Sequence, residues 1–508
     1  MVRFDTVEGY APAAGTDCLV LGVFDETAFA GAARHVNSAS RGRLRQLKAN
    51  GLVPTRLGET QMVIDLPGIK AARVMLVGLG KREEFRRRSW RKAVGAALAA
   101  CVKSRATSIL FAIDRPSATQ MDDYYFGRAV AEITGAALYR VNDLKSERGP
   151  RRPGLSVVRI ASVAKSVQGD VRRGLSQGQA ISQSQSLLRD LGNLPGNVCT
   201  PRYLAERARL LAREHKGIRV QVFDEARIRR LKMNCLLAVS RGSAEPPRFI
   251  VLEYRGGARG AAPVVLVGKG VTFDSGGISL KDPAAMDEMK FDMCGAASVL
   301  AALQCAALLK LRLNVVGLVP AVENMPGSRA TKPGDIVTSA AGKTVEILNT
   351  DAEGRLILCD ALNYARRYEP AALVDIATLT GACVVALGHH FSGVMANDDR
   401  LARELVEAGE RADDRGWQLP LTEDYGDQLK SNFADFANVG GRDGGAITAA
   451  AFLSRFTQGL RWAHIDIAGT AWLSGAQKGA TGRPLPLLAD FLISRAAPGR
   501  GAATTRGG

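Results

Sequence analysis

Seven side chains in the second half of the chain have types and spacings that could do chemistry together: Lys269, Asp274, Lys281, Asp292, Asp351, Glu353 and Arg355. Asp274 is followed by Ser275, Gly276 and Gly277. Asp292 lies in Met-Lys-Phe-Asp-Met-Cys-Gly at 289–295, and Asp351 and Glu353 lie in Asn-Thr-Asp-Ala-Glu-Gly-Arg at 349–355. Each acid sits in an apolar or glycine-rich setting, where an unpaired buried carboxylate would cost several kcal/mol. Four such acids need cations. Ion pairing with Lys269, Lys281 and Arg355 would leave the cluster one positive charge short. Two divalent ions would instead balance the four carboxylates, provided Lys269 binds as a neutral amine, and Lys281 and Arg355 would then remain to hold anions.

Other chemistries fit less well. A glycine-rich loop after a strand invites a phosphate-loop reading, but residues 268–270 run Gly-Lys-Gly, without the spacing of GxxxxGK[ST] or GxGxxG. The five histidines, at 35, 215, 389, 390 and 464, show no HExxH spacing and read as structural. The eight cysteines are scattered, form no CxxC pair and sit mostly in apolar runs, so neither disulfides nor a cysteine zinc knuckle is expected.

The elements that must position the seven side chains read as alternating strands and helices: strand 263–267, helix 296–309, strand 313–319, helix 355–368 and strand 372–378. Such alternation makes a mostly parallel sheet covered on both faces, and ligands bind such sheets beyond the carboxyl ends of the strands. Lys269 and the loop after it lie there. Upstream, strand 72–80 and helix 90–102 indicate a smaller α/β domain, a charged Pro- and Gly-containing stretch closes it at 145–154, and the proline-free segment 164–191 suits a connecting helix. The expected organisation is an N-terminal α/β domain at 1–160, a linker helix at 161–192, a larger catalytic domain with a mixed, mostly parallel sheet flanked by helices at 193–495, and a disordered tail at 496–508.

Length and composition agree with two domains. The chain has 508 residues, 46% of them hydrophobic and 23% charged, which is enough apolar material for a sizeable core and excludes disordered or fibrous classes. The uncharged stretch 376–397 approaches the length of a membrane span, but it carries Thr378, Thr380, His389, His390, Ser392 and Asn397, so no transmembrane helix is expected. No apolar stretch follows the basic start as a secretory signal requires, and a cytoplasmic location is expected. The net charge is +18, and residues 1–160 hold an excess of 11 positive charges. Its densest piece, 81–92, reads either as a solvated helix start or as a contact for nucleic-acid phosphates.

The stretches 267–280 and 349–356 resemble the two signatures of the leucyl aminopeptidase family, and the resemblance runs through about 185–493, including 375–382 and 462–470. It implies a di-metal peptidase domain that releases N-terminal residues, preferring leucine and other apolar side chains. Carried over by motif, Asp274 and Glu353 would bridge both ions, Asp351 would complete the more exchangeable site, and Lys269 with Asp292 the tighter one. Manganese or zinc are the ions expected, although a largely oxygen donor set also admits cobalt or magnesium. The nucleophile implied is a metal-bridging water. Lys281 would stabilise the oxyanion, and Arg355 would hold a bicarbonate that accepts the water's proton. Met289, Thr378 and Gly381 align with the pocket for the first residue. The resemblance further implies peptide substrates with a free N-terminus, a homohexamer, no membrane partner and, as some bacterial members bind DNA, a rival reading as a nucleic-acid-binding regulator. A catalytically dead homologue is a third reading, and the complete set of seven site residues argues against it.

Overall fold

The computed structural model describes residues 2–9, 15–114, 122–141, 144–146, 154–162 and 165–496. The expected tail lies outside them, apart from its first residue. The chain forms two compact units, Met1–Gln183 and Ser184–Gly508, and the division falls inside the long helix Lys165–Asn193.

In the first unit, the apolar runs Cys18–Phe24, Arg73–Gly80 and Ser108–Ala112 are too short and too continuous for helices and lie buried in one six-stranded sheet. Four of its pairings are parallel, and the edge strand Thr60–Ile64 is antiparallel to Arg73–Gly80. The helix Arg87–Lys103 buries Trp90, Val94 and Leu98 at helical spacing against one face.

The second unit is built on a nine-stranded mixed sheet. Its middle is parallel: Val264–Gly268 lies between Ala372–Ala377 and Asn314–Asn324, and Trp462–Asp466 lies beyond Ala372–Ala377. Antiparallel strands flank it, Arg248–Arg255 on one side and Ser392–Ala396 on the other. Separate apolar cores cover the two faces. The helix Cys294–Leu308, rich in alanine, is buried along almost its whole length on one face. With the 3-10 turn before it, the segment Met286–Leu308 is long and apolar enough to cross a membrane, but 89% of its most apolar 18-residue stretch is buried within the protein, as a core helix is. The helix Glu353–Ala365 covers the other face. All eight cysteines are buried thiols outside any disulfide.

Two boundaries differ from the sequence expectation in ways that matter for the site. The helix placed at 355–368 begins at Glu353 and turns into a 3-10 segment at Arg366–Tyr368, which puts one of the candidate acids in its first turn. The strand placed at 313–319 continues through Pro320 to Asn324. Proline lacks the N–H a ladder needs, which is why its position reads as an end. Here the parallel neighbour is itself interrupted at Lys269: Val264–Gly268 pairs up to Leu318, and Gly270–Asp274 resumes at Ala321.

Candidate metal centre

Lys269 occupies that interruption. Its backbone N–H donates to the Ile376 carbonyl at 3.0 Å and its carbonyl accepts from Ala296 N–H at 2.8 Å, so the break in the ladder leaves no unpaired main-chain group there. Its side chain, 4% exposed, reaches Asp292 Oδ1 and Glu353 Oε1, each at 2.8 Å, and donates to the Thr378 carbonyl at 2.9 Å. Gly354 makes this approach feasible. A Cβ there would lie 2.8 Å from Lys269 Cε and 2.9 Å from Leu379 Cδ1.

Asp274 ends the resumed strand. Its Oδ1 accepts from Asn324 Nδ2 at 2.8 Å and Gly276 N–H at 2.9 Å, which leaves Oδ2 facing Lys281 Nζ at 2.9 Å. Gly276 turns the loop with φ +88°, and a side chain there would strike the Ser279 carbonyl at 2.4 Å. Thr350 ties this loop to the 349–351 turn, donating to the Gly276 carbonyl at 2.7 Å and accepting from Ser279 N–H at 2.8 Å. Asp351 pairs with Lys281 at the more open end of the cluster. Asn438, fully buried, anchors the far side of the turn by donating to the Asn349 carbonyl at 2.7 Å, and its own carbonyl accepts from an Arg355 Nη at 2.9 Å.

The structure therefore gathers all four acids and both lysines. Arg355 joins them through the same turn and makes no ion pair with them. Met289 is half-buried, Thr378 is buried with its hydroxyl on Asp292 Oδ1 at 2.7 Å, and Gly381 is exposed with open space where a side chain would stand. Asn324, Thr350, Asn438 and the Thr378 carbonyl are the contributors that sequence reasoning missed.

The charges do not balance. Burial pushes the Asp292 carboxyl well up, and Glu353 and Asp274 add to the effect of burial against the pull of Lys269. Glu353 and Asp351 are also raised, by burial first and by Asp274 next. Burial disfavours the charge on both lysines, but the surrounding carboxylates outweigh it and hold each ammonium above its ordinary range. Acids pushed up beside bases pushed up mean a site short of positive charge. Two further observations fit cations there. Asp292 Oδ2 is buried without a hydrogen-bond partner, and Asp274, Asp351 and Glu353 offer oxygens within 4.8 Å of one another. Arg355, brought by burial down to about 10 although Glu353 and Asp466 favour its charge, keeps a buried Nε without a partner, which suits an anion.

The catalytic-domain model of the cytosol aminopeptidase family matches residues 186–489, and the family's N-terminal-domain model matches 20–148. A probable cytosol aminopeptidase of Paraburkholderia phytofirmans is 52% identical over 96% of this chain and 95% of its own, and one from Nitrosococcus oceani is 47% identical over 97% and 99%. Among solved structures, a mutant of tomato leucine aminopeptidase superposes with TM-score 0.86 at 32% identity, covering 97% of this chain and 96% of that one. The bottromycin maturation enzyme BotP in complex with Mn superposes with TM-score 0.80 at 35% identity, covering 95% and 100%. With both domains matched and relatives of about half identity along nearly its whole length, the chain belongs to the cytosol aminopeptidase family of metal-dependent exopeptidases, which hydrolyse the N-terminal bond of peptides.

Proposed function

We propose that the enzyme is a di-metal aminopeptidase that removes leucine and other apolar first residues from peptides with a free N-terminus. The observation that carries this reading is the cation-deficient cluster: four buried or half-buried acids, two lysines and an orphaned Asp292 oxygen. In it Asp274 and Glu353 would hold both ions, Asp351 would complete the more exchangeable site, and Lys269 with Asp292 would complete the tighter one. When bound, the ions would polarise an attacking water and the scissile carbonyl, and bicarbonate would accept the water's proton.

The chain's own groups do the rest. Lys281, whose side chain is 23% exposed against 4% for Lys269, stands where a substrate carbonyl can reach it and stabilises the developing oxyanion. Arg355 offers its buried Nε–H to the bicarbonate. Asp292 orients the substrate's amine, which limits cleavage to the amino end, and Met289, Thr378 and Gly381 border the first side chain. Manganese or zinc suit this mixed oxygen and nitrogen donor set, and the manganese complex of BotP supports the former. The names of the relatives support a cytoplasmic enzyme, and the homohexamer follows from the family resemblance.

Contact with DNA through the run 81–92 has less support. Arg82 pairs with Glu26, Arg86 donates to the carbonyls of Glu83 and Phe85, Arg87 lies over the Tyr125 ring, and Arg91 pairs with Glu132.

Metal analysis combined with hydrolysis of a leucine anilide tests the reading. Two ions per subunit, loss of turnover on chelation, recovery with manganese and no cleavage of the N-acetylated anilide are expected. Full turnover by the chelated, metal-free protein would overturn it.

A further inference from the structure

Lys269 has three acceptors. Two, Asp292 and Glu353, are carboxylates that cations would also claim, and the third is the main-chain carbonyl of Thr378. A neutral amine has two N–H bonds and one lone pair, so an N–H held by the Thr378 carbonyl leaves the lone pair only the two positions that face Asp292 and Glu353. Thr378 also fixes Asp292, through its hydroxyl at 2.7 Å from Oδ1. The position of this one residue therefore governs both protein groups on one side of the cluster.

Thr378 lies just past the strand Ala372–Ala377, and its loop is held from the end of the next strand. Asp466, fully buried, accepts from Leu379 N–H at 3.2 Å and Ala468 N–H at 3.0 Å on Oδ1, and from the Thr380 hydroxyl at 2.7 Å on Oδ2. Ile467 N–H adds a bond to the Ala377 carbonyl at 2.8 Å. The Thr380 oxygen in turn accepts from Cys383 N–H at 3.1 Å. Asp466 touches none of the candidate ligands. Its donors are all neutral, and two of them belong to the two residues that follow Thr378.

We propose that Asp466 and Thr380 are positioning residues for one half of the metal centre: they set the Thr378 carbonyl and hydroxyl, which aim the Lys269 amine and the Asp292 carboxylate at the tighter cation. This rests on the di-metal reading above. The half made by Asp351 and Lys281 is positioned independently, through Thr350, Asn324 and the Gly276 turn. The two halves should therefore respond separately to substitution.

Calorimetric titration of metal-stripped enzyme with manganese, alongside thermal unfolding, tests this on Asp466→Asn, Thr380→Val and Thr380→Ser. Asparagine replaces one acceptor oxygen with a donor that faces donors, and valine removes the hydroxyl at nearly constant volume. Both should weaken the tighter binding step at least tenfold, the range for losing a group that orients a ligand, and leave the weaker step within about twofold. Thr380→Ser should restore the tighter step. With saturating metal, both weakened variants should show a raised KM and a smaller loss in kcat, because the tighter ion is the one that meets the substrate amine.

Wild-type enzyme that binds two ions, with variants that bind both as tightly, would overturn the positioning role alone. Equal weakening of both steps with a matching fall in Tm would also overturn it, as general destabilisation. Wild-type enzyme that binds fewer than two ions would overturn the di-metal reading beneath it.

Discussion

Two groups in the catalytic unit bring three potential metal ligands within 4.8 Å: Asp274, Asp351 and Glu353 in one, and Cys235, Cys359 and Asp360 in the other. Proximity is the same, but chemistry is not. Asp360 Oδ1 accepts from Ala340 N–H at 2.7 Å and Oδ2 from Leu236 N–H at 3.0 Å, so both oxygens are spent on joining the helix Glu353–Ala365 to two other segments. The thiols are held protonated. Burial drives Cys359 well up, and in Cys235 a bond from Cys359 acts downward but burial and the charge of Asp360 together outweigh it. The first group has lysines beside it and still lacks positive charge, whereas the second has no cation beside it among the described residues and needs none. Asp375 is filled as well, by His464 Nδ1 at 2.5 Å on one oxygen and Trp462 Nε1 at 2.7 Å on the other, although there burial disfavours the imidazole's charge and Asp375 with Asp466 outweighs it, holding His464 above its ordinary range. A buried acid whose oxygens are filled by neutral donors ties elements together, and one left short of donors asks for a cation.

The largest expected effect separates the two groups directly. Asp274→Ala or Glu353→Ala should take turnover below detection and lower the bound metal, because on the proposed reading each would remove a carboxylate shared by both ions. Cys359→Ala should leave metal content unchanged and affect only stability. Elemental analysis of the three purified variants checks this, and metal loss confined to the cysteine variant would reverse the assignment of the two groups.

Within the first group, a ligand and a charge-stabilising cation should part company. Lys281→Ala is expected to cost ~10² to 10³ in kcat with metal content intact, as removal of an oxyanion donor does. A variant that loses metal in proportion to activity would make Lys281 a structural counterion of Asp274 and Asp351.

The second group should reveal itself through pH. Burial holds Asp360 up to about 7, against backbone N–H groups that favour its charge, while an unfolded aspartate titrates near ~3.9. Between those values the folded state binds a proton that the unfolded state does not. The stabilisation is therefore complete below the lower value and is lost as pH rises to about 7. Thermal unfolding of metal-loaded wild type and Asp360→Asn from about pH 5 to 8 should show the gap between them narrowing by a few degrees as pH rises. Parallel curves would mean that Asp360 stays ionised throughout.

Much of this was legible in the sequence, for identifiable reasons. Lys269 and Asp274 announce themselves as polar residues following a continuous apolar strand, and Asp351 and Glu353 as acids one residue apart before a helix. The two α/β units follow from the alternation of buried strands with helices. What escaped is what carries little or no sequence signal. Asn324 holds Asp274 from the end of a strand that Pro320 makes look finished five residues earlier. Asn438 follows a strand of two residues, too short for any pattern. The Thr378 carbonyl is a main-chain group, invisible in side-chain chemistry, and Asp466 acts only through its contacts with that loop.

The smallest expected effect applies the same distinction to positive charge, in the basic run of the N-terminal unit. That unit holds much of the chain's excess charge, and a run such as 81–92 would bind phosphates only with side chains not already engaged. Arg86 donates to two carbonyls, at 2.6 Å to Glu83 and 3.0 Å to Phe85, and the Arg87 guanidinium lies 4.5 Å from the centre of the Tyr125 ring. These are internal roles, worth about 1 kcal/mol each. Neutralising Arg86, Arg87 and Arg88 together should leave peptidase kcat/KM unchanged and lower the unit's Tm by a few degrees. If all three reached DNA phosphates, the slope of log K against log salt would flatten by about 2.7 units, at ~0.9 for each phosphate no longer neutralised. With Arg86 and Arg87 engaged internally, a change far short of that value is expected. Duplex binding by wild type and triple variant, measured from about 50 to 200 mM salt, decides it. A change near the full value with no loss of Tm would make the run a nucleic-acid surface, and the internal bonds of Arg86 and Arg87 incidental.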